Sequence, residues 1–476
     1  MSFLPRLDSD DDELVSLDGV SFVERALEEP LPPGKDILVI AVPAAIEAPE
    51  KFLRIAANGE SGFLWRSGGI SIAGVGSAAT ISASGEDRFK ELREKAAKLW
   101  PRITVRVHGG ARITPMLVGG LAFVPGVPTV EPWTAFEQDG FALAKWSYRR
   151  EGKTAYLMMA ATREELSRPD QRSALEREAR RLLVAIARET ATSMIERPEI
   201  APSAVHHSSL GEWTTYIDEI KRAIASGAFD KIVASRRCVI DLPKRLDDTA
   251  FMARLFASYP DCTHFAINRG DATFLGATPE TLFRKTGPIL HTHALAGTIR
   301  VTDDLWADTS QDAIELSKSW KTQVEHSLVA QKICQDLWPL SKKLRYASTP
   351  KTRRVRHLLH LQTPINCELH DDVDVFDLVS TLHPTPAVGG FPTKEAAFWI
   401  RDNEPMERGW FTGVVGWFDA AGDGHFAVAI RCGILTRKRA YIYAGAGIVK
   451  DSVAEAEYQE TAGKMGPILR ALGVTI

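Results

Sequence analysis

The sequence predicts a large mixed protein of class α+β or α/β, and three observations carry that expectation. Its 476 residues are 45% hydrophobic, ample for a sizeable core. Short β-type runs such as 37–42 and 103–107 are separated by Gly/Pro turns and interrupted by one charged helical stretch around 86–99. Strand and helix patterns then alternate through the C-terminal half. Length alone would suggest up to about three average domains.

The elements are read in chain order. Residues 1–30 are expected to form a disordered acidic tail: Asp8 to Glu13 is an acidic run, and the cationic start and apolar stretch of a secretory signal are lacking. The longest apolar stretch, 37–46, is about half the length needed to cross a bilayer and is interrupted by Pro43, so no membrane span is expected. Within 31–205, the N-terminal part of the fold, GVGSAA (74–79) imitates a dinucleotide fingerprint. Thr-Ile-Ser-Ala-Ser-Gly follows where a phosphate-binding helix should open, which makes the run a strand ending in a turn. From 164 to 197 a helical pattern puts Leu175, Ala179, Leu182 and Ile186 on one side, and Pro198 and Pro202 close it before a linker at 198–208. Trp213, Ile217, Ile220 and Ile224 mark an amphipathic helix stopped by Gly227, and 231–240 reads as a strand.

Composition narrows the function classes. With 58 Lys+Arg against 61 Asp+Glu, the formal net charge is −3, which argues against nucleic acid as the main partner but leaves room for a small anion held by local cations. The cysteines, Cys238, Cys262, Cys334, Cys367 and Cys432, are odd in number and contain no CxxC pair. Neither a disulfide framework nor a thiolate metal cage is expected, and a reducing cytoplasm fits. The His291/His293 pair has the spacing of a strand metal site but lacks a third soft ligand nearby, so zinc is not expected there.

Two stretches carry chemistry in their residues alone. Ser452 and Glu455 form an S-x-x-E capping box, and in the helix it opens Glu457, Glu460 and Lys464 share one face. A solvated face with ordinary salt bridges explains that pattern equally well. GAG (445–447) just before it adds backbone that can present N–H groups to an anion, so a metal-bound dicarboxylate becomes the sharper reading. Arg431 in FAVAIRC (426–432) sits in an apolar strand pattern, where an unpaired arginine is expensive and implies either an ion pair or an anionic ligand.

Nine motifs then occur in order: KIVASRR (231–237), FLGATPETLFRK (274–285), ALAGTIR (294–300), VEHSLV (324–329), HLQTPI (360–365), LHPTPAVGG (382–390), ERGWFTGVVGW (407–417), FAVAIRC and AGAGIVKDSVAEAEYQET (444–461). Together they resemble the chorismate-using enzymes, the family of isochorismate, salicylate, anthranilate and aminodeoxychorismate synthases. The resemblance covers 210–472, and GGLAF (119–123) with Trp133 and Phe136 is similar to the family's weaker N-terminal pattern. It implies one large α+β unit, two facing antiparallel sheets wrapped by helices with the site between them, and 206–476 as the chorismate-binding catalytic region.

The resemblance also implies roles. Lys231 matches the residue that activates water, and Glu280 the acid that protonates the departing hydroxyl; the first must lose its proton readily and the second must hold one. Glu325 and Glu460 match the Mg²⁺ ligands, with Glu457 beside them, and hard carboxylate oxygens suit that ion. Arg431 and Lys464 match cations for substrate carboxylate, with Gly445, Gly447 and Thr298 completing the cradle and His360 orienting the ring. Thr322 departs from the pattern, since relatives often carry another acid there.

Within the family, Lys231 together with ALAGT favours water over ammonia as nucleophile, because ammonia users usually carry Gln and PIAGT at these places. Ala387 and Phe411 replace the Thr and Tyr common in salicylate synthases. The expectation is a cytoplasmic, monomeric, Mg²⁺-dependent isochorismate synthase acting on chorismate. The alternatives are a salicylate synthase, a synthase subunit of the anthranilate or aminodeoxychorismate type, or a catalytically dead binding protein.

Overall fold

The computed structural model describes residues 9–57, 59–126, 129–188, 204–301, 310–355 and 358–474. Two large sheets dominate it. The first runs in the order 204–207, 231–241, 439–448, 432–435, 272–278, 263–269, 62–67, 70–75, 146–151, 154–162, 37–43 and 103–107, with the short strand Gly390–Phe391 pairing beside Lys231–Asp241. The second runs 341–346, 358–369, 289–300, 281–286, 424–428, 414–419, 116–121, 139–143 and 79–83, with Lys351–Val355 pairing Leu358–Leu369. The pairings are antiparallel apart from Ile37–Pro43 with Ile103–Val107, which is parallel.

Strands from both sides of residue 205 interleave. Gly62–Ser67 pairs with Thr263–Arg269, and Met116–Leu121 with Val414–Asp419. The inner faces meet in a core in which Trp65, Phe274 and Tyr443 of the first sheet pack with Val118, Val415 and Ala427 of the second. Trp133 and Phe136, from the weak N-terminal pattern, fill this core together with Trp410.

Most local readings correspond to elements. Pro169–Arg188 is a helix that buries Leu175, Ala179, Leu182 and Ile186, while 189–203, including much of the expected linker, lies outside the described residues. Leu210–Ala225 is a helix opened by a capping box between Ser209 and Glu212, and it buries Trp213, Ile217 and Ile220. The false dinucleotide fingerprint is the strand Ile70–Val75, followed by a second strand, Ala79–Ala83.

Three readings need correction. Residues 9–28 form a helix instead of a disordered tail: Val20, Val23, Ala26 and Leu27 recur at helical spacing and are buried against Leu38, Ile40 and Leu182. The C-terminal helix is Ala454–Leu472 with Val453 at its N-cap and no side-chain cap, because the Ser452 hydroxyl is turned to Glu457 Oε1 at 2.9 Å. Arg431 is not inside a strand; it lies between Gly424–Val428 and Cys432–Leu435 with φ of 51°. Among the described residues no helix is long and apolar enough to cross a membrane.

A buried ion pair pins the loops next to the first sheet. Glu404 and Arg408 have side chains 1% and 3% exposed, with Arg408 Nε donating to Glu404 Oε2 at 2.6 Å. The guanidinium also donates to Val233 O at 2.7 Å and Val388 O at 2.8 Å, and Glu404 Oε1 accepts the Ser235 N–H at 2.8 Å. Arg408→Met would leave the Glu404 carboxylate buried without its cation. It is expected to lower stability by about 3–5 kcal/mol, read as a shift in the urea unfolding midpoint at unchanged slope.

Candidate active site

Two neighbouring chain segments leave one sheet for the other at the same place. Ala272–Thr278 belongs to the first sheet and Thr281–Thr286 to the second, so Glu280 sits on the crossing between them. Arg431 sits on the return crossing, from Gly424–Val428 to Cys432–Leu435. The crossings are tied together: the Val428 N–H donates to Glu280 O at 3.0 Å and the Ala277 N–H to Arg431 O at 3.2 Å. The Thr278 hydroxyl donates to Val428 O at 2.7 Å and accepts the Glu280 N–H at 3.2 Å. A non-glycine residue at positive φ is uncommon, so Arg431 is held there by its surroundings rather than by its own preference.

Lys231 opens the strand Lys231–Asp241, which pairs along its length with Arg439–Ile448 and so faces the glycines of GAG. A methyl group on Gly447 would lie 2.5 Å from Lys231 Cε and 3.1 Å from Nζ, so the lysine side chain runs across the space this glycine leaves open. Gly445 is closely packed as well; a Cβ there would meet Ala234 O and Ser235 Oγ at 3.0 Å. Its carbonyl accepts a hydrogen bond from Lys464 Nζ at 2.8 Å.

Lys464 also pairs with Glu460 Oε1 at 2.5 Å, one helical turn away. Burial pushes the Lys464 ammonium down, and Arg431 and Lys231 push in the same direction against Glu460. Burial lifts the Glu457 carboxyl, and the nearby Glu460 charge adds to that, while Ser452, Lys464 and Lys231 oppose it. Burial likewise raises the Glu280 carboxyl, against the hydrogen bond from Thr385 and the charges of Arg431, Lys231 and Lys464. Arg431 is lowered by burial, with Glu460 and Glu280 among the groups that restore its charge. The sequence-predicted residues Lys231, Glu280, Arg431, Glu457, Glu460 and Lys464 therefore act on one another electrostatically.

Of the remaining candidates, Ala387 shares a cavity with Glu280, Phe411 and His360 are buried elsewhere on the two sheets and their connections, and the others lie outside what is described. Phe411 is 1% exposed and stacks on Tyr443, ring centroids 5.2 Å apart. Ala387 lines a cavity of about 420 Å³ that Glu280 also bounds. His360 is buried on Leu358–Leu369, opposite Thr298 in register, but the Thr298 side chain lies outside the described residues. Glu325 belongs to the helix Trp320–Leu337, and its side chain also lies outside them. Among the described residues no group of three His, Cys, Asp or Glu side chains is placed to hold a metal. The donor chemistry nevertheless fits Mg²⁺: Glu457 and Glu460 offer hard oxygens, and the mutual repulsion of their charges is what a divalent cation relieves.

Sequence reasoning missed three contributors. Thr385 donates to Glu280 Oε1 at 3.3 Å, and only its place in LHPTPAVGG pointed to it. Ser452 was assigned to a cap. Glu404 and Arg408 carry a detectable signal, opposite charges four residues apart next to the apolar run 410–418. Because the atoms nearest to a Gly447 methyl are the flexible end of Lys231, Gly447→Ala is expected to displace the amine with little loss of stability. Catalytic turnover should fall about 10²-fold, and a thermal melt alongside the rate assay separates the two effects.

Residues 34–473 match the family model described as chorismate binding enzyme. The chain is 31% identical over 417 residues to the salicylate biosynthesis isochorismate synthase of Pseudomonas aeruginosa, covering 86% of this chain and 84% of that one. It is 28% identical to isochorismate synthase MenF of Bacillus subtilis, over 85% of this chain and 86% of that one. Its fold matches the menaquinone-specific isochorismate synthase MenF of Escherichia coli with a TM-score of 0.78 at 24% identity, covering 96% of this chain and all (100%) of that one. On sequence and architecture together, this chain belongs to the chorismate-binding enzyme family.

Proposed function

We propose that this protein is a cytoplasmic, monomeric isochorismate synthase that converts chorismate to isochorismate with Mg²⁺. The observation that carries the reading is that Lys231, lying across Gly447 in the first sheet, acts electrostatically on Glu280, which sits on the crossing into the second, with Arg431 and Lys464 acting on the same carboxyl. An amine and a raised carboxyl in one site suit a reaction that takes a proton from an entering water and gives one to a departing hydroxyl. The names of the two curated relatives given above support the same chemistry.

In this reading Arg431 and Lys464 bind substrate carboxylate, and the turn bearing Ala387 and the buried Phe411 shape the ring region. Lys231 removes a proton from the water that adds at C2. Glu280 gives its proton to the C4 hydroxyl, which leaves as water while the ring double bonds shift. Glu460 and Glu325 would hold the Mg²⁺, with Glu457 beside them, and the ion when bound supplies positive charge for a substrate carboxylate. Ala387 and Phe411 offer shape without a hydroxyl, which favours release of isochorismate over continued pyruvate elimination.

Product analysis tests the whole reading. Incubation with chorismate and Mg²⁺ is expected to give isochorismate with little salicylate at neutral pH, and EDTA should abolish turnover until Mg²⁺ is restored. Equal salicylate and pyruvate from the first turnovers, with no isochorismate accumulating, would replace the reading with salicylate synthase.

Lys231→Ala and Glu280→Gln test the proton-transfer pair, and each is expected to lower kcat by roughly 10²–10⁴-fold. The sign of the pH dependence follows from the raised Glu280 carboxyl. The acid must be protonated to act, so its contribution is complete below its elevated pKa and lost as pH rises through it. The kcat–pH profile should therefore have an alkaline limb, and Glu280→Gln should leave no such limb to measure.

A further inference from the structure

The cavity of about 420 Å³ next to Glu280 extends past Ala387 to side chains that have no role in the chemistry above. Glu280 and Ala387 bound one part of it, and Lys332 and Asp336 of the helix Trp320–Leu337 line another. Ser380 and Thr393 add hydroxyl-bearing side chains to a wall that is otherwise partly apolar. A space of this volume with several polar groups can hold a chain of waters.

Thr385 joins this cavity to the acid. It lines the space, and its hydroxyl donates to Glu280 Oε1 at 3.3 Å. Its backbone is fixed: Thr385 O accepts the Val388 and Gly389 N–H groups at 3.1 and 3.0 Å, and Val388 O accepts the buried Arg408 guanidinium at 2.8 Å. A hydroxyl carried on such a turn is preorganised with respect to the carboxyl it holds.

The proposed reaction makes a particular demand on Glu280. In each turnover a C2–O bond forms and the C4–O bond breaks; Lys231 gains a proton from the entering water, and Glu280 loses one to the hydroxyl that leaves as water. The enzyme is then left with a Lys231 ammonium and a Glu280 carboxylate. Before the next turnover Glu280 must regain a proton and Lys231 must lose one.

The geometry points to Thr385 as the positioning residue that holds Glu280 against the cavity, and to water in that cavity as the relay that reloads the acid. The proton that Lys231 releases to solvent is matched by one that the cavity waters pass to the carboxylate, so the cycle closes without another reactant. The inference rests on the acid role proposed for Glu280. Arg431, Lys231 and Lys464 face the carboxyl from the substrate side. His293, Lys332, Asp336, His383 and Lys394 line the cavity side.

The test compares Thr385→Val with Thr385→Ser in the full-length enzyme, using chorismate as the probe. The Thr385 hydroxyl favours ionised Glu280, so its removal should move the alkaline limb of the kcat profile to higher pH. The loss of a hydrogen bond to a charged group should also lower kcat about tenfold at essentially unchanged KM, and Thr385→Ser should restore both. A role confined to folding would not move the limb. An unshifted limb or a wild-type kcat in folded Thr385→Val overturns the inference; if that variant fails to fold, the same two readouts in Thr385→Ala decide. Ile333→Phe narrows the cavity from the helix side and should lower kcat without changing KM; an unchanged kcat removes the cavity from the cycle. Glu280→Gln separates this inference from the one beneath it: turnover by that variant defeats the acid assignment itself, whereas an inactive Glu280→Gln beside an unaffected Thr385→Val defeats only the role of Thr385.

Discussion

Two adjacent strands leave one sheet and enter the other side by side, and the rest of the site depends on that crossing. A strand inside a sheet spends its backbone hydrogen bonds on its neighbours and points successive side chains to opposite faces. Where it passes between sheets, that alternation is broken and a side chain can be aimed along the gap. Glu280 and Arg431 occupy the two crossings, and the segments are joined through Val428 to Glu280 O and through Ala277 to Arg431 O. The positive φ of Arg431 and the Thr278 bonds that brace Glu280 are local consequences of the same geometry. Large sheets on both sides make the crossing stiff, which is how a protein of this size can hold a few functional atoms in place.

The Glu404–Arg408 pair extends that stiffness to the other wall. Its hydrogen bonds reach Val233 and Ser235 on the strand that begins with Lys231, Val388 on the turn that carries Thr385 and Ala387, and Thr412 next to Phe411. Buried ion pairs are poor sources of net stability, because desolvation offsets much of their attraction. Their geometric demand is strict, however, and here three separate segments satisfy one guanidinium and one carboxylate. The pair is best understood as a device for register between those segments. Gly447 complements it by omission, since only the lack of a side chain there lets Lys231 lie across the neighbouring strand.

What was legible in the sequence follows from the range of the interactions involved. Helices with a one-sided apolar stripe, such as Pro169–Arg188 and Leu210–Ala225, reveal themselves within a few turns. The site residues were legible only through ordered motifs, because Lys231, Glu280 and Lys464 are far apart in the chain and no local periodicity marks a lysine that will cross a glycine. Local rules failed where tertiary contacts outbid them. Ser452 and Glu455 have the spacing of a capping box, but the Ser452 hydroxyl serves Glu457. The run FAVAIRC reads as an apolar strand, but the chain changes sheets at Arg431. In 9–28 the acidic start concealed an apolar stripe that needed the partner strand Ile37–Pro43 and the helix Pro169–Arg188 to bury it.

The electrostatics of the site favour a metal and a dicarboxylate arriving together. With Lys231 and Glu280 neutral, as the proposed reaction requires, the charged groups that remain are Arg431 and Lys464 against Glu457 and Glu460, and the proposed ligand Glu325 adds one more negative charge. A dicarboxylate alone would add two negative charges beside two acids, of which the half-buried Glu457 is already lifted by burial and by its neighbour. A divalent cation alone would add two positive charges beside an arginine and a lysine that are both pushed down by burial. Together the pair adds no net charge, and each partner meets the residues of opposite sign. Beside buried cations such as Arg431 and Lys464, where unbalanced charge is costly, that cancellation separates a site that can bind both components from one that would repel either.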